Sequence, residues 1–68
     1  MKNKLGIKIF KLRKEKGISQ SLLAKEIGAT QKAVDFWEKG INEPKATYIA
    51  KLAIYFGVSC DYLLGLEE

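Results

Sequence analysis

The sequence has no histidine, only one cysteine (Cys60) and only one proline. A single cysteine cannot form a disulfide within the chain, and without histidine it has no companion for a zinc site. A Cys/His pair for nucleophilic catalysis is excluded on the same ground, and no glycine-rich loop that could cradle a phosphate is present. We therefore expect no enzyme, no catalytic residue, no metal site and no cofactor. Well-packed helices or a second subunit must stabilise the fold.

Long hydrophobic runs are also lacking. The longest apolar run extends from Leu52 to Val58, which is far too short to cross a bilayer. The lysine-rich N-terminus has no continuous apolar segment of the kind found in signal peptides. These observations and the lone free thiol predict a cytoplasmic protein without membrane contact.

Positive charge is concentrated at one end of the sequence. Residues 1–16 carry seven basic side chains and one acid, whereas residues 17–68 carry five lysines and seven acids, for a net charge of +4. Two interpretations follow from this asymmetry. The first helix has either a solvated lysine-rich face or a surface that binds an anion, such as nucleic-acid phosphate.

Glycine, proline and hydroxyl residues divide the chain into five helical patterns. They predict helices over about 4–16, 20–27, 31–39, 45–56 and 60–64, with Ser19, Thr30 and Ser59 as N-caps. Apolar residues at helical spacing predict the inward positions: Leu5, Ile9, Leu12, Leu23, Ala24, Ile27, Ala33, Val34, Trp37, Ile49, Leu52, Ala53 and Phe56. No segment alternates like a strand, so we expect one all-α domain over residues 1–68, folded as a five-helix bundle.

Residues 17–40 hold two of these helices joined by a tight turn, which is the layout of a helix-turn-helix (about 19–39). The second helix of such a unit can lie in the major groove of DNA. Its apolar side includes Trp37, which we expect to pack in the core rather than to stack on bases. Gln31 and Lys32 lie on the polar side near the N-terminal end, where a glutamine can pair with adenine and a lysine can donate to guanine.

Two outward residues of that helix fit a DNA-facing surface less simply. Asp35 could accept a hydrogen bond from cytosine, or it could hold Lys32 or Lys39 in place along the helix. Phe36 lies at the edge of the polar side, where it could contact a thymine methyl group or pack partly under a neighbouring side chain. The sequence leaves both alternatives open for each residue.

An ordered series of short motifs runs from about Leu5 to Gly65. Its pieces are Leu12-Arg13, Lys16-Gly17-Ile18-Ser19-Gln20, Leu23-Ala24, Ile27-Gly28, Thr30-Gln31, Val34, Trp37-Glu38, Gly40, Pro44, Leu52-Ala53, Phe56-Gly57-Val58-Ser59 and Asp61-Tyr62-Leu63-Leu64-Gly65. This series resembles the Cro/C1-type helix-turn-helix family, also called the XRE family, which includes phage repressors, bacterial regulators and antitoxins. The resemblance implies a DNA-binding five-helix bundle of the lambda-repressor-like type, from a bacterium or a phage.

The resemblance also implies roles for individual residues. Base contacts are implied at four positions, with the first two as the principal base readers: Gln31, Lys32, Asp35 and Phe36. Phosphate contacts, made directly or supported, are implied at six: Arg13, Gln20, Thr30, Lys39, Asn42 and Lys45. The position of Gln20 is suitable because a helix N-terminus presents free N–H groups and a positive dipole. Glu38 is expected to have a structural role.

Several apolar residues stand where the family usually has polar or charged ones: Ile7, Phe10, Leu22 and Ile54. Ile7 and Phe10 are three positions apart and lie away from the main apolar stripe of their helix. These residues either widen the core of a small domain or cover an interface with a second subunit or a protein partner. Cys60, in contrast, occupies a position that is usually apolar, which predicts that it is buried.

These features predict a sequence-specific DNA-binding transcription regulator, most simply a repressor. We expect a nucleoid-associated homodimer that places helix 31–39 of each subunit in successive major grooves of double-stranded DNA, on a palindromic operator. The alternative is a protein-binding module on the same fold, an antitoxin or a repressor antagonist, which contacts its partner through Ile7, Phe10 and Leu22. The chain is either a complete short regulator or one domain of a longer protein.

Overall fold

Five α-helices follow one another in a computed structural model that describes residues 4–67. They are α1 (Lys4–Lys16), α2 (Gln20–Ile27), α3 (Gln31–Lys39), α4 (Ala46–Phe56) and α5 (Cys60–Leu63), and no strand occurs among the described residues. The prediction of an all-α five-helix fold is confirmed. None of the helices within residues 4–67 is long and apolar enough to cross a membrane. Lys2 and Glu68, both counted in the charge distribution, lie outside the described residues.

Helix ends follow the capping residues that the sequence predicts. The hydroxyl oxygens of Ser19, Thr30 and Ser59 each accept a hydrogen bond from the backbone N–H three residues further on, at 2.9–3.1 Å. Lys45 is the N-cap of α4 and has an extended backbone, so this helix begins one residue later than predicted. Leu64 is the C-cap of α5, which therefore ends one residue earlier than predicted.

The turn between α2 and α3 consists of Gly28, Ala29 and Thr30. Gly28 ends α2 with a φ of +76°, a left-handed conformation that glycine adopts without steric cost. The Ala29 N–H donates to the Ala24 carbonyl at 2.8 Å, and Thr30 then caps α3. The predicted helix-turn-helix is therefore present, with α3 as its second helix.

All five helices contribute to one hydrophobic core. Its buried apolar residues are Leu5, Ile9, Leu23, Ala24, Ile27, Val34, Trp37, Leu52, Ala53 and Leu63. Four other residues predicted to point inward are partly buried against this cluster: Leu12, Ala33, Ile49 and Phe56. The core position predicted for Trp37 is confirmed, with its ring centroid 5.4 Å from that of Tyr48.

Helix α5 corrects one prediction. Cys60 is exposed, whereas its position in the family predicted a buried side chain. The reason is the length of α5, which is a single turn of four residues. Leu63, at the end of that single turn, is fully buried, whereas Cys60, at its start, lies at the surface.

Helices α1 and α3 approach each other closely at Gly6. A Cβ atom at Gly6 would lie 2.1 Å from the carbonyl oxygen of Trp37 and 3.3 Å from that of Glu38. Neither oxygen can move away unless the backbone of α3 shifts with it. The contact between the two helices therefore requires glycine at this position.

A buried ion pair joins the same two helices. The Nε and Nη2 atoms of Arg13 donate to the two carboxylate oxygens of Glu38 at 2.7 and 3.0 Å, and Nη1 donates to the Ile18 carbonyl at 2.9 Å. The side chains of Arg13 and Glu38 are only 9% and 5% exposed. Chiefly through its hydrogen bond, Glu38 raises the pKa of Arg13 above its ordinary value, so the guanidinium stays charged. Glu38 thus has the structural role that the resemblance implied.

We expect Gly6→Ala to destabilise the protein, even though alanine has the higher helix propensity. The added methyl group would overlap the Trp37 carbonyl, and overpacking of this kind lowers the free energy of unfolding by about 1–3 kcal/mol. Urea denaturation measures the change. Lys11→Ala, at an exposed position of α1, is the control and should change stability by no more than about 0.5 kcal/mol. Equal stability of Gly6→Ala and wild type would contradict the close approach.

We expect Arg13→Lys to destabilise the protein because lysine keeps the charge but cannot donate to both Glu38 oxygens at once. The loss of charge-assisted hydrogen bonds lowers the free energy of unfolding by about 1.5–3 kcal/mol. In a double-mutant cycle, Arg13→Met combined with Glu38→Leu should lower the free energy of unfolding by less than the sum of the two single losses. The reason is that each single change leaves a buried charge unpaired. Additive losses would contradict a direct pair. Lys39→Gln, which removes an exposed ion pair, is the control and should have a much smaller effect.

Candidate nucleic-acid interface

The outward side of α3 carries its polar residues, because Val34 and Trp37 hold the opposite side in the core. Gln31 and Lys32 are exposed in the first turn, directly after the Thr30 cap. This is the part of a recognition helix that usually reaches base edges. Thr30 is exposed too, although its hydroxyl oxygen already accepts the capping hydrogen bond.

Gln20, the first residue of α2, connects that helix to the outward side of α3. Its Nε2 donates to Glu38 Oε1 at 3.0 Å and to Asp35 Oδ1 at 3.1 Å, and its Oε1 accepts from Gln31 Nε2 at 2.6 Å. Because Glu38 also binds Arg13, hydrogen bonds run without a gap from α1 to Gln31. Lys39, which pairs with Asp35, extends this set of contacts. We call the six connected residues the polar cluster: Arg13, Gln20, Gln31, Asp35, Glu38 and Lys39.

Sequence spacing alone could not reveal the polar cluster. The three partners of Gln20 lie 11, 15 and 18 positions further along the chain. Periodicity relates residues three or four positions apart within one helix, so it carries no information on contacts between α2 and α3. The resemblance did single out Gln20, but for a phosphate contact rather than for contacts with α3.

Asp35 is paired along its own helix. The Lys39 Nζ atom lies 2.9 Å from Asp35 Oδ2, at the i, i+4 spacing. Hydrogen bonds from Lys39 and then from Gln20 lower the pKa of Asp35 below its ordinary value, so this carboxylate is ionised at neutral pH. Of the alternatives for Asp35, the pairing with Lys39 is present, while contact with cytosine stays a prediction.

Phe36 is partly buried beside Lys32. The Lys32 Nζ atom lies over the Phe36 ring, 5.7 Å from its centroid, within the range of a cation–π contact. A neighbouring side chain therefore partly covers this ring, as one of the two alternatives for Phe36 predicted. Contact between Phe36 and a thymine methyl group stays a prediction.

The residues with predicted phosphate contacts lie in different settings. Thr30, Lys39, Asn42 and Lys45 are exposed, and the last two lie in the loop between α3 and α4 and at the start of α4, outside the polar cluster. The guanidinium of Arg13 instead points inward, to Glu38 and the Ile18 carbonyl. Gln20 is half-buried, and its side chain lies within the polar cluster.

Four apolar residues that depart from the family pattern remain at the surface. Their exposed fractions are 52% for Ile7, 46% for Phe10, 40% for Leu22 and 81% for Ile54. The alternative that they widen the core is therefore wrong, because none of them packs into it. Their role in a subunit or partner interface stays a prediction.

Comparison with known proteins agrees with this geometry. The family described as Helix-turn-helix matches residues 9–63. The structure of the P22 c2 repressor in complex with synthetic operator 9T, in the presence of Tl+, matches with a TM-score of 0.87 and 32% identity, over 93% of this chain and 96% of that chain. The N-terminal DNA-binding domain of SinR from Bacillus subtilis matches with a TM-score of 0.85 and 29% identity, over 98% and 96%. No protein of curated function matches the sequence significantly.

The bundle of α1 to α5 is thus of the lambda-repressor-like type, as predicted. The family match covers most of the chain, and the similarity to the c2 repressor extends to its sequence as well as its fold. The chain belongs to the XRE-type helix-turn-helix family of DNA-binding transcription regulators, and it is not an enzyme.

Proposed function

We propose that the protein is a cytoplasmic transcriptional repressor that binds a palindromic operator as a homodimer. The observation that carries the proposal is the outward side of α3, where Gln31 and Lys32 are exposed at the end that reaches base edges in helix-turn-helix proteins. The similarity of most of the chain to a repressor in complex with a synthetic operator supports the same conclusion.

Gln31 and Lys32 are the proposed base readers. The Gln31 side chain can pair with the N6 and N7 atoms of adenine, and the Lys32 ammonium can donate to the O6 and N7 acceptors of guanine. To reach a base, Lys32 must leave the Phe36 ring, which then becomes available to a thymine methyl group. Each good base contact supplies roughly 1–3 kcal/mol of discrimination.

Phosphate contacts are proposed for Thr30, Lys39, Asn42 and Lys45, and for the N-terminal end of α2. Contacts of this kind fix the position of a protein on the duplex and supply much of its affinity. We assign Arg13 a supporting role, because its guanidinium is buried against Glu38 and does not face the surface. It would act on DNA binding by holding Glu38, and through Glu38 the polar cluster.

Repression would follow from occupation of the operator, which blocks access of RNA polymerase. Two copies of α3 would enter successive major grooves about 34 Å apart, so that the symmetry of the dimer matches the symmetry of the operator. Each copy would contribute the same base contacts to one half-site.

A second candidate function is a protein-binding module, such as an antitoxin or a repressor antagonist. The exposure of Ile7, Phe10 and Leu22 supports it, because exposed apolar patches often mark protein contacts, and Ile7 and Phe10 are neighbours on α1. The two functions predict different behaviour with DNA at low salt, where only a DNA-binding protein retains measurable affinity for nonspecific sequences.

We expect Gln31→Ala and Lys45→Ala to weaken DNA binding in different ways. Gln31→Ala should relax the preference at one base pair, whereas Lys45→Ala should weaken binding to all sequences and lower the slope of log K against log salt by about one. Selection of bound sites from random DNA, followed by salt titrations on selected and random sequences, measures both effects.

Lys51→Ala is the matched control for Lys45→Ala, since it removes one exposed lysine from α4, beside Tyr48. It should leave both the base preference and the salt slope close to those of wild type. Equal effects of Gln31→Ala and Lys45→Ala on selected and random DNA would contradict the assigned roles. If the wild-type protein bound no DNA even at low salt, the protein-binding module would become the better conclusion.

The role of the exposed apolar residues of α1 is tested by assembly. We expect Ile7→Glu combined with Phe10→Glu to reduce self-association or binding to a partner protein, because buried carboxylates would oppose a contact at this face. Sedimentation at several protein concentrations measures the change. Leu66→Glu, at an exposed apolar residue beyond α5, is the control. Unchanged assembly and unchanged partner binding in the double variant would reject the interface.

A further inference from the structure

The orientation of the Gln20 side-chain amide is determined by its neighbours. Its nitrogen lies 3.1 Å from Asp35 Oδ1 and 3.0 Å from Glu38 Oε1. An ionised carboxylate only accepts hydrogen bonds, and an amide nitrogen carries two hydrogens to donate. The two acceptors therefore hold the nitrogen toward Asp35 and Glu38, and they turn the Gln20 carbonyl oxygen toward Gln31.

That oxygen in turn determines the orientation of the Gln31 amide. Because the Gln20 oxygen can only accept, Gln31 must present its nitrogen, and the two atoms are 2.6 Å apart. Gln31 makes no other side-chain hydrogen bond to the residues that the structure describes. One amide hydrogen and the carbonyl oxygen of Gln31 therefore remain for a ligand, and they are the donor and acceptor that an adenine edge requires.

Both side-chain oxygens of Asp35 already have partners within the protein. Its Oδ2 faces Lys39 Nζ at 2.9 Å, and its Oδ1 accepts from Gln20. Glu38 is a poor replacement as the second acceptor, because its Oε1 already accepts from Arg13 and Gln20 and its Oε2 is held by Arg13. Without Asp35, one hydrogen of the Gln20 amide would lose its acceptor, and the Gln20 side chain could turn toward phosphate or water.

We propose that Asp35 is a positioning residue for base recognition: with Glu38 it binds both amide hydrogens of Gln20, which orients the Gln31 amide toward adenine. This inference rests on the proposed function, and it gives Asp35 and Gln20 roles other than direct contact with DNA. The Gln20 side chain then donates nothing to phosphate, so a phosphate at this end of α2 meets backbone N–H groups alone. Asp35 influences base preference entirely through Gln31.

Selection of bound sites from random DNA tests this inference, with Asp35→Ala, Gln31→Ala and the double variant compared with wild type. A good bidentate contact provides roughly a 5- to 150-fold preference for the correct base. Asp35→Ala should lower the preference at the base pair read by Gln31 by about fivefold or more. In the Gln31→Ala background, Asp35→Ala should have no further effect at that base pair. Asp35→Asn keeps an oxygen acceptor for Gln20 and should retain more of the preference than Asp35→Ala.

The control for charge is Glu43→Ala, which removes an exposed acid from the loop between α3 and α4. If Asp35→Ala only strengthened binding to all sequences, as Glu43→Ala is expected to do, the inference would be overturned. Loss of preference at a different base pair, persisting in the absence of Gln31, would also overturn it, because Asp35 would then read a base directly. A wild-type protein without base preference would instead reject the proposed function.

Nuclear magnetic resonance tests the same inference without DNA. In the free protein, Asp35→Ala should increase the solvent exchange rate of the Gln31 side-chain amide, which is hydrogen-bonded to Gln20 and not to Asp35. An unchanged exchange rate in a folded Asp35→Ala protein would show that Gln31 is held independently of Asp35, and it would overturn the inference.

Discussion

The contact between α1 and α3 is the constraint on which the rest of the structure depends. The last turn of α3 is held twice, because its backbone lies against Gly6 and its Glu38 side chain is bound by Arg13. The absence of a side chain at Gly6 sets the distance between the helices, and the two-pronged ion pair sets the rotation of α3. Because Val34 and Trp37 pack in the core, the opposite side of α3 can face in only one direction.

The buried ion pair also connects the interior to the surface. Replacing such a pair by apolar residues is often neutral for stability, so its value here lies more in the order it imposes than in the energy it adds. Arg13 only donates and Glu38 only accepts, so the direction of every hydrogen bond from Arg13 through Gln20 to Gln31 is fixed. The orientation of a side chain at the surface is thus determined by a charge that is almost fully buried.

The sequence predicts well the features that are determined by interactions between residues close to each other along the chain. Hydroxyl caps and helical spacing give the bounds of α1, α2 and α3, and the core position of Trp37 follows from the apolar side of its helix. The exposed position of Cys60 depends on how the single turn of α5 packs against the other helices, which does not follow from spacing. The inward direction of Arg13 and the contacts of Gln20 join distant segments, so they emerge only when the helices are packed together.

Positive charge is distributed differently in the fold than along the sequence. Lys8 and Lys16 of α1 lie over tyrosine rings of α5 and α4, at 4.5 and 5.2 Å from the ring centroids, so part of the basic N-terminal segment covers aromatic surface. On the outward side of α3, Lys39 faces Asp35, and Lys32 is the cation of that helix without a carboxylate partner among the described residues. A surface with nearly balanced charge attracts phosphate weakly, so exposed lysines elsewhere must supply the general attraction to DNA. In the proposed function, discrimination at α3 depends on the geometry of its amide hydrogen bonds, and the polar cluster holds the Gln31 amide in place.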